Sequence, residues 1–190
     1  ALRRALEHDD DPESIFAIVA TAGTTNGGVV DDLAGIAAVA SERDLWLHVD
    51  GAYGLAALAA SSVHHQFSGI EQADSFVVDP HKWLFAPFDC AAVLYRDPEL
   101  ARRAHAQHAD YLDPIQDRDE WNPADYAYHL TRRVRGLPFW FSLAVHGTDA
   151  YARAVEQTLA IARDTAAQIN AAPHVELVRD PELTVVLWRR

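Results

Sequence analysis

The chain of 190 residues contains a single lysine, Lys82, against 15 arginines. An arginine guanidinium stays protonated in a protein, whereas a lysine amine can lose its proton and attack a carbonyl. Lys82 stands in the run Asp74-Ser-Phe-Val-Val-Asp-Pro-His-Lys-Trp-Leu84. Phe76 to Val78 reads as a short buried strand. Asp79-Pro80 stops it, because proline lacks a ladder donor and holds its predecessor extended. His81 and Lys82 follow the stop. Two readings are open from this run alone: a Schiff-base lysine at the end of a buried strand, or a surface lysine after a turn.

Asp50 is the second candidate. It follows the apolar strand pattern Leu45-Trp-Leu-His-Val49, and a carboxylate at the edge of a buried region needs a cation or donor to stay charged. A protonated pyridine nitrogen would serve; capping of the next helix is the alternative. Ala52, two residues on, is small enough for a flat ring to lie against it. Thr24 and Thr25 sit in Ala22-Gly-Thr-Thr-Asn-Gly-Gly28, whose small residues let a ligand approach the backbone closely. The histidines do not make a metal site: His64-His65 and His105/His108 lack a third ligand at fixed spacing. No Gly-x-Ser-x-Gly element, Walker loop or dinucleotide fingerprint is present. Cys90 enters a strand and reads as a core residue.

The elements that position these residues alternate. Ile15 to Thr21 is a near-continuous apolar run, the pattern of a parallel strand covered on both faces. A helix over Leu33 to Glu42 follows, capped by Asp31 or Asp32. Leu45 to Val49, Phe76 to Val78 and Ala91 to Tyr95 are the next strands, with a small-residue helical stretch over Ala52 to Ala60. Strand and helix in alternation imply an α/β domain with a mostly parallel sheet. Ligands of such sheets sit beyond the C-terminal strand ends, and Thr24, Thr25, Asp50 and Lys82 all fall there. The second half differs. Pro98 to His108 reads as a polar helix and Tyr111 to Tyr126 as a long, acidic, exposed loop of a length that is commonly functional. Thr131-Arg-Arg-Val-Arg135 is a basic cluster, and Pro138 to Asn170 a long helical pattern with a break at Gly147. Val175 to Val178 and Thr184 to Trp188 read as strands of a second, incomplete domain.

Composition bounds the rest. Apolar content of 49% and charged content of 23% are those of a globular protein. A net charge of −12 argues against nucleic acid or an anionic membrane as partner, since both need clustered cations. No run approaches the ~18 apolar residues a membrane helix needs. One cysteine fits a reducing compartment, and a cytoplasmic location is expected. The chain opens on what reads as the last turns of a helix and stops within a strand pattern, so an internal piece of a longer protein is expected.

Together these motifs carry a resemblance. His48-Val-Asp-Gly-Ala-Tyr-Gly54, Asp74 to Trp83 and Phe88-Asp-Cys90, with Ala20-Thr-Ala-Gly-Thr-Thr25 upstream and Arg132-Arg-Val-Arg135 downstream, closely resemble the group II pyridoxal-phosphate-dependent amino acid decarboxylases. The resemblance implies a fold-type I (aspartate aminotransferase-like) α/β fold. Residues 1–136 would belong to the large cofactor-binding domain, with a mobile loop over 109–128, and residues 137–190 to a connecting helix and the start of the small domain. It implies that Lys82 forms the Schiff base with pyridoxal 5'-phosphate, that Asp50 partners the pyridinium and that Ala52 packs against the ring. Thr25 and Asp79 would line the cofactor site, and His81 would help hold the phosphate. Asp79 departs from the asparagine often found at this place. Tyr126 matches the loop tyrosine that protonates the product carbanion, with Tyr111 the fallback. The implied reaction is decarboxylation of an L-amino acid to the amine and carbon dioxide, in a homodimer. Burial and nearby cations should keep the Lys82 amine neutral. Another fold-type I enzyme, such as a carbon–carbon lyase or an aminotransferase, and an inactive folding or dimerisation module are the alternatives. An oxidative, aldehyde-forming relative would have the loop tyrosine replaced.

Overall fold

Three parallel strands, β1 (Ala17–Thr21), β2 (Trp46–Asp50) and β3 (Ser75–Val78), run side by side, and β4 (Ala92–Tyr95) follows β3 in the same sheet. A computed structural model describes residues 1–107 and 121–190. They form two units: Ala1–Leu94 with Arg135–Arg190, and Tyr95–Val134. The expected mobile loop over 109–128 and the fallback Tyr111 lie largely or wholly outside the described residues.

Alternation sets the sheet. Parallel pairing places Ile18 beside Leu47 and Ala20 beside Val49, and all four are buried. Their opposite neighbours behave otherwise: Val19 is 64% exposed. The other face carries Val19, His48 and Ser75 in register. There the buried Ser75 hydroxyl accepts from Trp46 Nε1–H at 2.9 Å and meets His48 Nδ1 at 2.8 Å.

Helix α1 (Leu2–Glu7) precedes β1, and α2 (Leu33–Glu42) buries Leu33, Ala37, Val39 and Ala40 in the core. Of the two expected caps, Asp32 is the one used: it accepts the Gly35 N–H at 3.0 Å. Asp31 instead accepts the Thr21 N–H at 2.8 Å, holding the end of β1. The stretch over Ala52 to Ala60 is a shorter 3₁₀ helix, Gly54–Ala59, not an α-helix. Its entry is pinned by contact: a Cβ on Gly54 would meet the Ala22 carbonyl oxygen at 2.1 Å.

The predicted break at Gly147 is real. α4 (Gly136–His146) and α5 (Thr148–Ala171) meet there, and Gly147 takes φ 73°. α5 buries Tyr151, Val155, Leu159, Ala162 and Ala166, the repeat of one helix face. β5 (Glu176–Arg179) and β6 (Leu187–Arg189) pair antiparallel. The strand expected over Thr184 to Trp188 starts later, because Thr184 is taken by a side-chain contact described below. In the second unit α3 (Pro98–His105) is capped by Asp97, and a 3₁₀ turn Pro123–Tyr126 is capped by Asn122. No helix among the described residues is long and apolar enough to cross a membrane.

Two stability predictions follow from these contacts. In the intact protein Gly54→Ala must push a backbone carbonyl aside, so a loss of about 1–3 kcal/mol is expected in urea unfolding. An unchanged midpoint would show that the two turns can separate freely. Glu156 of α5 accepts from the Ser62 N–H at 2.9 Å and the Ser62 hydroxyl at 2.6 Å. The Ser62 hydroxyl, then its N–H, hold the Glu156 carboxyl below its ordinary value of 4.5. The folded value is the lower one. Its contribution is therefore full above the unfolded value and is lost as pH falls through the folded value. The melting-temperature gap between wild type and Glu156→Ala should thus narrow below about pH 4.5, and a gap that stays constant down to about pH 3 would contradict this.

Candidate active site

The site is assembled by a hydrogen-bond ladder that continues past the strand ends. Register places Thr21 beside Asp50 and Asp50 beside Val77. Beyond them Ala22 N–H donates to Asp50 O at 2.7 Å, Gly51 N–H to Val77 O at 3.2 Å and Asp79 N–H to Ala52 O at 3.0 Å. The Asp50–Ala52 segment and the segment leading to Lys82 are therefore held edge to edge by backbone alone.

Lys82 sits in the turn that follows. Its N–H donates to Asp79 O at 2.9 Å. Its ammonium pairs with Asp79 Oδ2 at 2.7 Å; the Lys82 side chain is 43% exposed and that of Asp79 13%. The charged neighbour is a carboxylate, where cations were expected, and that carboxylate is the more buried partner.

Asp50 is exposed at the end of β2, and its Oδ1 accepts the Ala52 N–H at 3.1 Å. The carboxylate thus braces its own turn and does not cap the 3₁₀ helix beyond. Ala52 is half-buried and Thr25 exposed. The Thr24 hydroxyl is committed to its own loop, accepting the Val29 N–H at 3.1 Å, whereas no such loop bond involves Thr25 among the described contacts. Gly23, at φ 102°, lies so close to Gly54 that a Cβ would come within 2.8 Å of its Cα.

His81 is fixed to Cys90. Its N–H donates to Cys90 O at 3.2 Å, and Cys90 N–H donates to His81 Nδ1 at 3.0 Å. Nδ1 also lies 2.6 Å from the Cys90 carbonyl, so the tautomer decides which of those two ring contacts is a hydrogen bond. Phe88 packs edge-on against the ring at 5.0 Å. Cys90 is buried as expected. Burial first, then Asp89 and Asp79, push its thiol above the ordinary value, which keeps it a poor nucleophile. Arg135 of the basic cluster pairs with Asp89 at 2.9 Å. Tyr126 belongs to the second unit, where it stacks on Trp121 at 6.2 Å. Among the described residues no group of three His, Cys, Asp or Glu could hold a metal.

Two neighbours of the site were not singled out from the sequence. Tyr53 stacks on Trp83 with centroids 5.2 Å apart and planes 18° apart. Both lie inside the quoted motifs, and the available signal was their bulk amid small residues.

A family model described as the pyridoxal-dependent decarboxylase conserved domain matches residues 1–190. An aromatic-L-amino-acid decarboxylase of Bacillus atrophaeus is 33% identical over 192 residues, covering 100% of this chain and 40% of the relative. The crystal structure of mouse CSAD in apo form superposes with a TM-score of 0.82 at 32% identity, over 95% of this chain and 38% of that one. That of Oryza sativa TDC with PLP and tryptamine gives 0.90 at 27% identity, over 99% and 39%. The chain thus spans about two fifths of the length of the curated relatives it matches. Its α/β fold is that of the PLP-dependent decarboxylases, and over all of its residues the chain belongs to the pyridoxal-dependent decarboxylase family.

Proposed function

We propose that this chain is the lysine-bearing part of a pyridoxal 5'-phosphate-dependent L-amino acid decarboxylase, which converts its substrate to the amine and carbon dioxide. The observation that carries this reading is the backbone ladder placing the only lysine beside the segment of Asp50, in a chain of this family. The donor set fits the cofactor. An accessible primary amine can form a Schiff base, and an accessible carboxylate on the neighbouring strand end can hold a proton on a pyridine nitrogen.

When bound, the cofactor supplies an electron sink for the pair left on Cα as the carboxylate departs. Lys82 would anchor it covalently, and the Asp50 carboxylate would keep its ring nitrogen protonated. The small side chain of Ala52 leaves room for the ring, and Thr25, Asp79 and His81 line the site. Asp79, which pairs with Lys82 Nζ at 2.7 Å, would position that amine when it is free. Tyr126 would supply the proton that Cα needs after carbon dioxide leaves. Residues 1–136 belong to the large cofactor-binding domain, and residues 137–190 to a connecting helix and the start of the small one. The substrate is an L-amino acid. The protein works as a cytoplasmic homodimer, with no nucleic-acid or membrane partner.

Borohydride reduction of the intact, cofactor-loaded protein followed by peptide mapping is expected to label Lys82. A label on any other residue overturns the assignment. Asp50→Asn should lower kcat by roughly 10²–10³-fold, the scale of losing one preorganised electrostatic contact. A kcat within a few-fold of wild type would remove Asp50 from the cofactor.

A further inference from the structure

Trp83 directly follows Lys82, and Tyr53 directly follows Ala52. Their rings stack, and each ring is tied by its polar atom to a different C-terminal segment. The Trp83 Nε1–H donates to Thr158 Oγ1 at 2.8 Å, and that hydroxyl donates onward to Val155 O at 2.7 Å. Tyr53 O accepts the Thr184 N–H at 3.0 Å and also bonds the Thr184 hydroxyl. Trp83 is 6% exposed. Its burial beside an exposed Lys82 makes the indole the fixed point from which the lysine side chain leaves the turn. Tyr53 lies between two close approaches: a Cβ on Gly51 would lie 2.0 Å from Leu55 Cγ, and one on Gly54 would lie 2.1 Å from Ala22 O.

We propose that Tyr53 is a positioning residue, whose stack on Trp83 and bond to Thr184 fix the Lys82 turn relative to the Asp50 strand end. The ladder bond from Asp79 to Ala52 fixes one point of that relation. The stack supplies a second point, four residues further along the lysine segment and one residue further along the Asp50 segment, and two points remove the hinge that one would leave. Reactive groups misplaced by about 1 Å can cost roughly 10²-fold in rate. Neither ring needs to touch cofactor or substrate for this. The inference rests on the reading of Lys82 as the cofactor lysine.

The test uses the intact, cofactor-loaded protein. Tyr53→Leu, which removes the ring, is expected to lower kcat roughly tenfold or more, with KM changed less than about threefold. It should also displace the pH midpoint of the visible absorbance of the loaded protein. Tyr53→Phe keeps the stack and loses only the Thr184 bonds, so it should recover most of both properties. Wild-type kcat and midpoint in Tyr53→Leu, at any melting temperature, would overturn the inference. If that variant does not fold, Tyr53→Met decides: it fills the same space but offers no ring to Trp83 and no oxygen to Thr184. A displaced midpoint then supports the inference and a wild-type midpoint overturns it. Borohydride labelling of the wild type reads the underlying assignment separately. An unlabelled Lys82 removes the proposed function, whereas a labelled Lys82 with unaltered variants removes the positioning role alone.

Discussion

The hydrogen bond from Asp79 N–H to Ala52 O is the constraint on which the site depends. It is one ordinary backbone bond, worth ~0.5–1.5 kcal/mol net, but it extends the register of β2 and β3 beyond their ends. Side chains alternate along a strand, so a slip of one residue would turn Asp50 to the opposite face of the sheet. The in-register burial of Ile18, Ala20, Leu47 and Val49 opposes such a slip, since it would bring those four out of the core. The core thereby sets where the carboxylate lies, and the ladder carries that placement across to the lysine turn.

Close packing around this ladder uses very small residues. Ala20, Ala22, Ala57 and Ala60 are completely buried, and Gly54 touches the Ala22 carbonyl with no room for a methyl group. A turn this tight leaves no slack for the backbone next to Asp50. Segment 182–185 closes over the same region: Glu182 accepts the Val30 N–H at 2.9 Å, and Val185 packs on Gly28. The loop after β1 is therefore held by residues more than 150 positions away in the chain.

That long-range closure marks where the sequence stopped being legible. The strands, helix α2 and the break at Gly147 were readable because hydrophobic period, caps and glycine act locally. Lys82 and Asp50 were readable as strand-end residues for the same reason. The surroundings of Lys82 were not. Asp79 reaches the amine through a turn whose geometry follows from Pro80 and from the bonds of His81 to Cys90, and none of these has a sequence period. The Tyr53–Trp83 stack joins two motifs 30 positions apart, and only the folded register brings them together.

The Lys82–Asp79 pair shows how to weigh a contact in this site. A pair whose lysine is 43% exposed contributes on the order of 0–1 kcal/mol to stability, so the fold does not depend on it. Yet the carboxylate side is only 13% exposed, and a largely buried carboxylate without its cation would be costly. The arrangement therefore constrains the lysine more than it stabilises the protein. On the reading of Lys82 as the cofactor lysine, such a pairing would return the free amine to one position beside Asp79.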